Sequence, residues 1–177
     1  MVPVVTDDRA ERFEAVVRAV IDPLRRFLAR RTDAATAEDV LADTMLVVWR
    51  RLDDVPAEPL PWSLAVARHV LANADRGERR RQRLAARLEA EPAAAGSPSD
   101  ADDTALHDAL ASLRHQDADL LRLWAWEQLT PAEIAVVLDT TPNAVSIRLH
   151  RAKGALREAL RKAEGPAGHE GSEGRTP

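Results

Sequence analysis

Asn143, Ser146, Ile147, His150 and Arg151 recur at the spacing that puts side chains on one side of a helix, in a stretch that opens at Pro142. Together they offer amide, hydroxyl, apolar, imidazole and guanidinium groups, a mixture suited to reading base edges in the major groove of duplex DNA. Arg148 and Lys153 flank this set and suit phosphate oxygens. A second basic concentration, Arg76, Arg79, Arg80, Arg81, Arg83 and Arg87, faces either a polyanion or solvent. Nothing competes with these for chemistry of another kind. The histidines are scattered, no glycine-rich phosphate loop occurs, and His107, His115 and His169 lack partners at metal-ligand spacing. The expectation is therefore a binding protein, not an enzyme, with no catalytic residues, no metal and no cofactor.

The reading side chains need an element to hold them, and the residues before Pro142 describe one. Thr130 can cap a helix whose first residue is Pro131 and whose third is Glu133, a capping box with proline where a missing N–H costs least. Ile134, Ala135 and Leu138 give that helix a short apolar face, and Asp139 to Thr141 break it. Pro142 then opens a second helix with Val145, Leu149, Leu156 and Leu160 inward. This is a helix-turn-helix outline, whose second helix enters the major groove. A basic amphipathic helix with a merely solvated face would carry the same charges; the capped short helix before it weighs for the DNA reading.

Upstream, apolar residues from Phe13 through Val16, Val17, Val20, Ile21, Leu24, Phe27 and Leu28 keep helical spacing, with Pro23 expected to bend or interrupt the helix. A second helix is expected over 36–52, packing through Val40, Leu41, Thr44, Met45, Val48 and Trp49, with Glu38, Asp39 and Asp43 outward. Pro56, Pro59 and Pro61 make 53–61 a loop that delivers Trp62 to a third helix, apolar at first and then strongly basic, running to about Leu88. Residues 89–103 have the composition of a flexible linker, and 164–177 that of a disordered tail. Leu106, Leu110 and Leu113, then Leu120, Leu121, Leu123 and Trp124, resume the helical pattern. The fold class is all-α: two small helical domains, over 9–88 and 104–163, joined by a flexible linker, the second a helix-turn-helix.

Composition agrees. Aromatic residues are only 3% of the chain, and alanine, leucine, arginine and glutamate abound, which favours helices over sheets. The absence of cysteine excludes disulfide scaffolds and thiol nucleophiles and fits a reducing cytoplasm. No apolar run approaches bilayer length, so a soluble cytoplasmic protein without membrane insertion is expected. A net charge of −4 argues against a general nucleic-acid coat, so DNA contact must come from local patches.

The segments LRLWAWEQLTPAEIA and NAVSIRLHRAKGALREAL resemble the C-terminal domain of extracytoplasmic-function sigma factors, in particular at Glu133, Ile134 and Ala135 and at Arg148, Leu149, Arg151 and Ala152. Independently, TAEDVLADTMLVVWRRL is similar to the segment of that family that docks on the polymerase clamp, and PWSLAVARHVLANADRGERRR to its promoter-melting segment. The resemblance covers about Phe13 to Leu160. It implies that Asp39 and Asp43 meet core RNA polymerase, and that the third helix captures the unpaired strand of the downstream promoter DNA element with Trp62, His69 and Asn73. Arg79, Arg80, Arg81 and Arg83 then contact its backbone, and the helix-turn-helix reads the upstream element as duplex. It also implies an anti-sigma factor as a partner. Where the family commonly has asparagine, this chain has His69, which bears on downstream specificity. Two other readings are a stand-alone helix-turn-helix regulator, which leaves 36–88 unexplained, and an all-helical adaptor binding proteins only, which has no need of Asn143, Ser146 and Arg151.

Overall fold

The computed structural model describes residues 5–85 and 101–163, and among these every regular element is helical. The first helix, α1 (Val5–Ala29), buries Val20, Leu24, Phe27 and Leu28. Pro23 does not interrupt it. A proline inside a helix costs about 3 kcal/mol, whereas each large apolar side chain taken from water returns about 1.5–3 kcal/mol, and four of them flank the site.

Helix α2 (Ala34–Arg50) begins earlier than its apolar pattern indicates, because Asp33 caps it: one carboxylate oxygen accepts from the Thr36 amide at 3.0 Å. Val40, Leu41, Thr44 and Val48 are buried as expected, and the Thr44 hydroxyl donates to the Val40 carbonyl at 2.7 Å. Trp49 is not in the core. It lies at the edge of the apolar stripe, packed edge-on to Phe13 at 5.2 Å with the Arg9 guanidinium over its ring.

A short 3-10 turn (Leu52–Asp54) leads to α3 (Pro59–Ala85), so the expected loop shrinks and both Pro59 and Pro61 sit in the first turn of the helix. Prolines are accommodated there because those amides have no intrahelical partner. Trp62 is half-buried against Val48, Leu52 and Val55.

Four helices make the second half: α4 (Ala101–Ser112), α5 (His115–Ala125), α6 (Pro131–Val137) and α7 (Pro142–Ala163). Helix α4 takes in Ala101 to Asp103, the last three residues of the expected linker. The rest of the linker and the expected tail, together with Arg87, lie outside the described residues. Helices α4, α5 and α6 pack on α7, while α1, α2 and α3 pack on one another.

The halves are not independent bodies. Helix α6 packs on α3, and a single apolar cluster continues from Leu24, Leu64 and Leu71 to Leu121, Ile134 and Leu149. A linker composition speaks only for the linker; it carries no information on whether the domains it joins also touch.

Candidate nucleic-acid interface

The helix-turn-helix is built as its capping residues dictate. The Thr130 hydroxyl accepts from the Glu133 amide at 3.3 Å, and the Glu133 carboxylate accepts from the Thr130 amide at 2.7 Å, with Pro131 as the first helical residue. Ile134, Ala135 and Val137 are buried beneath. Asp139 makes the turn with a φ of 50°, a left-handed conformation that aspartate tolerates better than most side chains. The Thr141 hydroxyl then accepts from the Ala144 amide at 3.2 Å and starts α7.

The bonds to Thr130 hold the Glu133 carboxyl below its ordinary value of 4.5. A depressed carboxyl contributes stability that is present above the unfolded value and is lost as pH falls through the folded one. Urea midpoints should therefore drop as pH falls from about 5 towards 3, and Glu133→Gln should flatten that drop. Thr130→Ala should cost about 1 kcal/mol at neutral pH in the same measurement.

On α7, Val145, Leu149 and Ala152 face the core, which turns Asn143, Ser146, Ile147, His150 and Arg151 outward together. Ile147 is 45% exposed, unusual for a large aliphatic side chain away from any described partner. The Ser146 hydroxyl donates back to the Pro142 carbonyl at 2.9 Å. Of the flanking cations, Arg148 lies 3.9 Å from Asp117, and Lys153 rests its ammonium 3.4 Å from the centre of the Trp124 ring. Trp124, which continues the apolar pattern of α5, is thus an exposed platform for Lys153.

On α3, His69, Asn73, Arg79 and Arg80 are exposed, and the backbone at Arg81 and Arg83 continues the same helix, with their side chains outside the described ones. His69, Asn73, Arg76 and Arg80 follow at helical intervals and form one stripe. His69 bonds through Nδ1 to the Ala65 carbonyl at 2.9 Å; a carbonyl can only accept, so Nδ1 carries a proton, and in the neutral ring Nε2 is the acceptor. Arg76 donates to the Asn73 side-chain oxygen, leaving the Asn73 amino group as a donor. Trp62, near the start of the same helix, is half-buried under the Arg51 guanidinium.

Asp39 and Asp43 are exposed on α2 and line a groove with Leu46, which is 50% exposed, and with Asp75 and Glu78 of α3. Leu46 escaped the sequence reading because the stripe of buried residues passes beside it.

Sigma-70 region 4 matches residues 103–156. The RNA polymerase sigma factor CarQ of Myxococcus xanthus is 30% identical over 171 residues, covering 89% of this chain and 94% of that protein. The ECF RNA polymerase sigma factor SigL of Mycobacterium tuberculosis is 29% identical over 160 residues, 84% of this chain and 90% of that one. The chain belongs to the ECF sigma factors. As a sigma factor it directs promoter-specific transcription. The fold of this sigma factor is also that of RpoE from Bartonella quintana, solved with the anti-sigma factor NepR, at a TM-score of 0.61 and 20% identity over 84% of this chain and 96% of that one. Among its described helices none is long and apolar enough to cross a membrane, and no described His, Asp and Glu residues group to hold a metal.

Proposed function

We propose that this sigma factor reads the upstream (minus-35) promoter element as duplex with α7 and captures the unpaired strand of the downstream (minus-10) element with α3, while bound to core RNA polymerase. The observation that carries this reading is the face of α7: five side chains of complementary chemistry, exposed together behind a capped helix-turn-helix. Asn143, Ser146, Ile147, His150 and Arg151 meet base edges. Arg148 and Lys153 meet phosphates, exchanging Asp117 and Trp124 for the polyanion. On α3, His69 through Nε2 and Asn73 through its amino group bond an unstacked base, Trp62 borders the site, and Arg79, Arg80, Arg81 and Arg83 follow the backbone. The acidic groove of Asp39 and Asp43 meets basic polymerase surface, with Leu46 as its apolar contact.

The functional domains are then 9–88 and 104–163, the second extended back to Ala101 by α4, which leaves the linker before it three residues shorter than its composition indicates. The protein works in the cytoplasm by binding, not as an enzyme, and an anti-sigma factor is proposed as its inhibitor, by analogy with the RpoE complex.

Run-off transcription from the gene's own upstream region, with core polymerase alone and with the protein added, tests the reading. A discrete new start site is expected that weakens roughly 5- to 150-fold on Arg151→Ala, the discrimination of one good base contact, and that vanishes when residues 1–90 are deleted. Tight binding of the free protein to duplex DNA without any new transcript would overturn it in favour of a stand-alone regulator.

A further inference from the structure

Glu127 follows α5 in the second half of the chain, yet its partners are in the first. Arg30 donates to one of its carboxylate oxygens at 2.6 Å and Arg31 to the other at 3.2 Å. Asp119 of α5 accepts from Arg68 of α3 at 3.4 Å and stands 3.9 Å from Arg31. Three guanidinium groups of one half are thus matched by two carboxylates of the other. Glu127 and Arg31 are nearly enclosed, with side-chain exposures of 4% and 12%. Trp126 completes the junction, with Arg30, the residue after α1, and Arg122 of α5 both over its ring.

This junction closes one side of a cleft that two residues of the strand-capture stripe of α3 also line: His69 and Arg76 share it with His107, His115, Arg122 and Trp126, while Asn73 lines the groove of Asp39 and Asp43. A strand laid on α3 and the second half in its present position would claim the same space. The junction is also imperfect. One terminal nitrogen of Arg31, the one directed at Asp119, is buried without a hydrogen-bond partner. A buried ion pair with a donor left over contributes little net stability while it is whole, but removing one partner strands a charge and is strongly unfavourable. That combination gives a contact that is specific, reversible and sensitive to single residues.

We propose that the Arg30, Arg31, Arg68, Asp119 and Glu127 network is an intramolecular latch that holds the free protein closed over its own strand-capture face. The closed form must open before a single strand can occupy His69 and Arg76. Strand affinity of the free protein is then reduced by the fraction of molecules that are open. The latch itself follows from the charges and distances; its effect on strand binding rests on the reading of α3 given above, and the two can be separated.

The chain has no cysteine, so Ala19→Cys on α1 and Ala155→Cys on α7, both exposed, can be spin-labelled in the full-length protein without background. Electron-spin distance measurement should give a narrow distribution for the parent. Glu127→Gln should add a longer, broader population, with the open-to-closed ratio raised roughly tenfold or more, the effect of uncompensating one buried charge. Arg68→Gln, at the solvent edge of the network, should do the same more weakly and guards against misfolding at the buried site. Affinity for a single-stranded oligonucleotide should tighten in step. Unchanged distances in both variants, and in Asp119→Asn with Glu127→Gln, would overturn the latch. Longer distances with no gain in oligonucleotide binding would leave the latch standing and instead remove α3 as the strand site.

Discussion

Phe27→Ala should lower the unfolding free energy by about 3–5 kcal/mol, the usual cost of deleting a fully enclosed ring. Phe27 is 1% exposed and is among the largest fully buried side chains. Its ring does two jobs. It fills the core between α1 and its neighbours, and it carries the Arg31 guanidinium 3.7 Å from its centre, while its own carbonyl accepts from Arg31 at 3.0 Å. Truncation therefore opens a cavity and also frees the cation that reaches Glu127. For a chain of this size the loss should appear as a fall in melting temperature of roughly 6–20 °C. Because one apolar cluster crosses both halves, Trp62 in the first half and Trp126 in the second should report the same transition. Separate transitions would show that the α3 and α6 contact adds little, and a loss below about 1 kcal/mol would show that the site relaxes around the missing ring.

What was legible in the sequence follows from what periodicity and capping can carry. Val40, Leu41, Thr44 and Val48 share a face because helical spacing leaves no other arrangement, and the same rule turns Asn143, Ser146 and Arg151 outward once Val145 and Leu149 are inside. Thr130, Pro131 and Glu133 state a helix start in three residues, since each answers a local hydrogen-bonding need that does not depend on the rest of the fold. Local rules also explain the small misses. Asp33 caps α2 from outside its apolar stripe, so the pattern of Val40 and Leu41 could not locate it, and Ala101 to Asp103 read as linker although α4 already begins at Ala101.

The larger omission has a different cause. Arg30 and Arg31 are separated from Glu127 by almost a hundred residues, and each looks like an ordinary solvated charge at a helix end. Packing of the two halves on each other brings them together, and burial then changes their character: desolvation lowers the Arg31 pKa from its ordinary value, opposed first by Asp119 and then by Glu127. Trp49 and Trp124 show the same limit from the apolar side. Both continue the apolar pattern of their helix, and both are instead exposed platforms for Arg9 and Lys153, because an indole at the margin of a stripe keeps one face open to a cation.

Ile134→Ala should cost about 2–5 kcal/mol and should abolish promoter-directed transcription before it abolishes the fold of α1, α2 and α3. Ile134 is fully buried on α6, the short helix held between α3 on one side and α7 on the other. A seven-residue helix has little stability of its own. It persists because its cap and its buried side chains fix it, and α7 takes its angle from it through the turn at Asp139. A cavity at Ile134 therefore acts on the placement of Asn143 and Arg151, which it does not touch. Amide hydrogen exchange is the direct measurement: protection should fall across α6 and the first turns of α7 while α1 and α2 keep theirs. Run-off transcription by the variant should fall at least as far as with Arg151→Ala, since the whole reading face is displaced where that substitution removes one contact. If transcription survives with α6 exchanging freely, α7 is positioned by its own packing on α4 and α5, and the helix before it serves to close the molecule against α3.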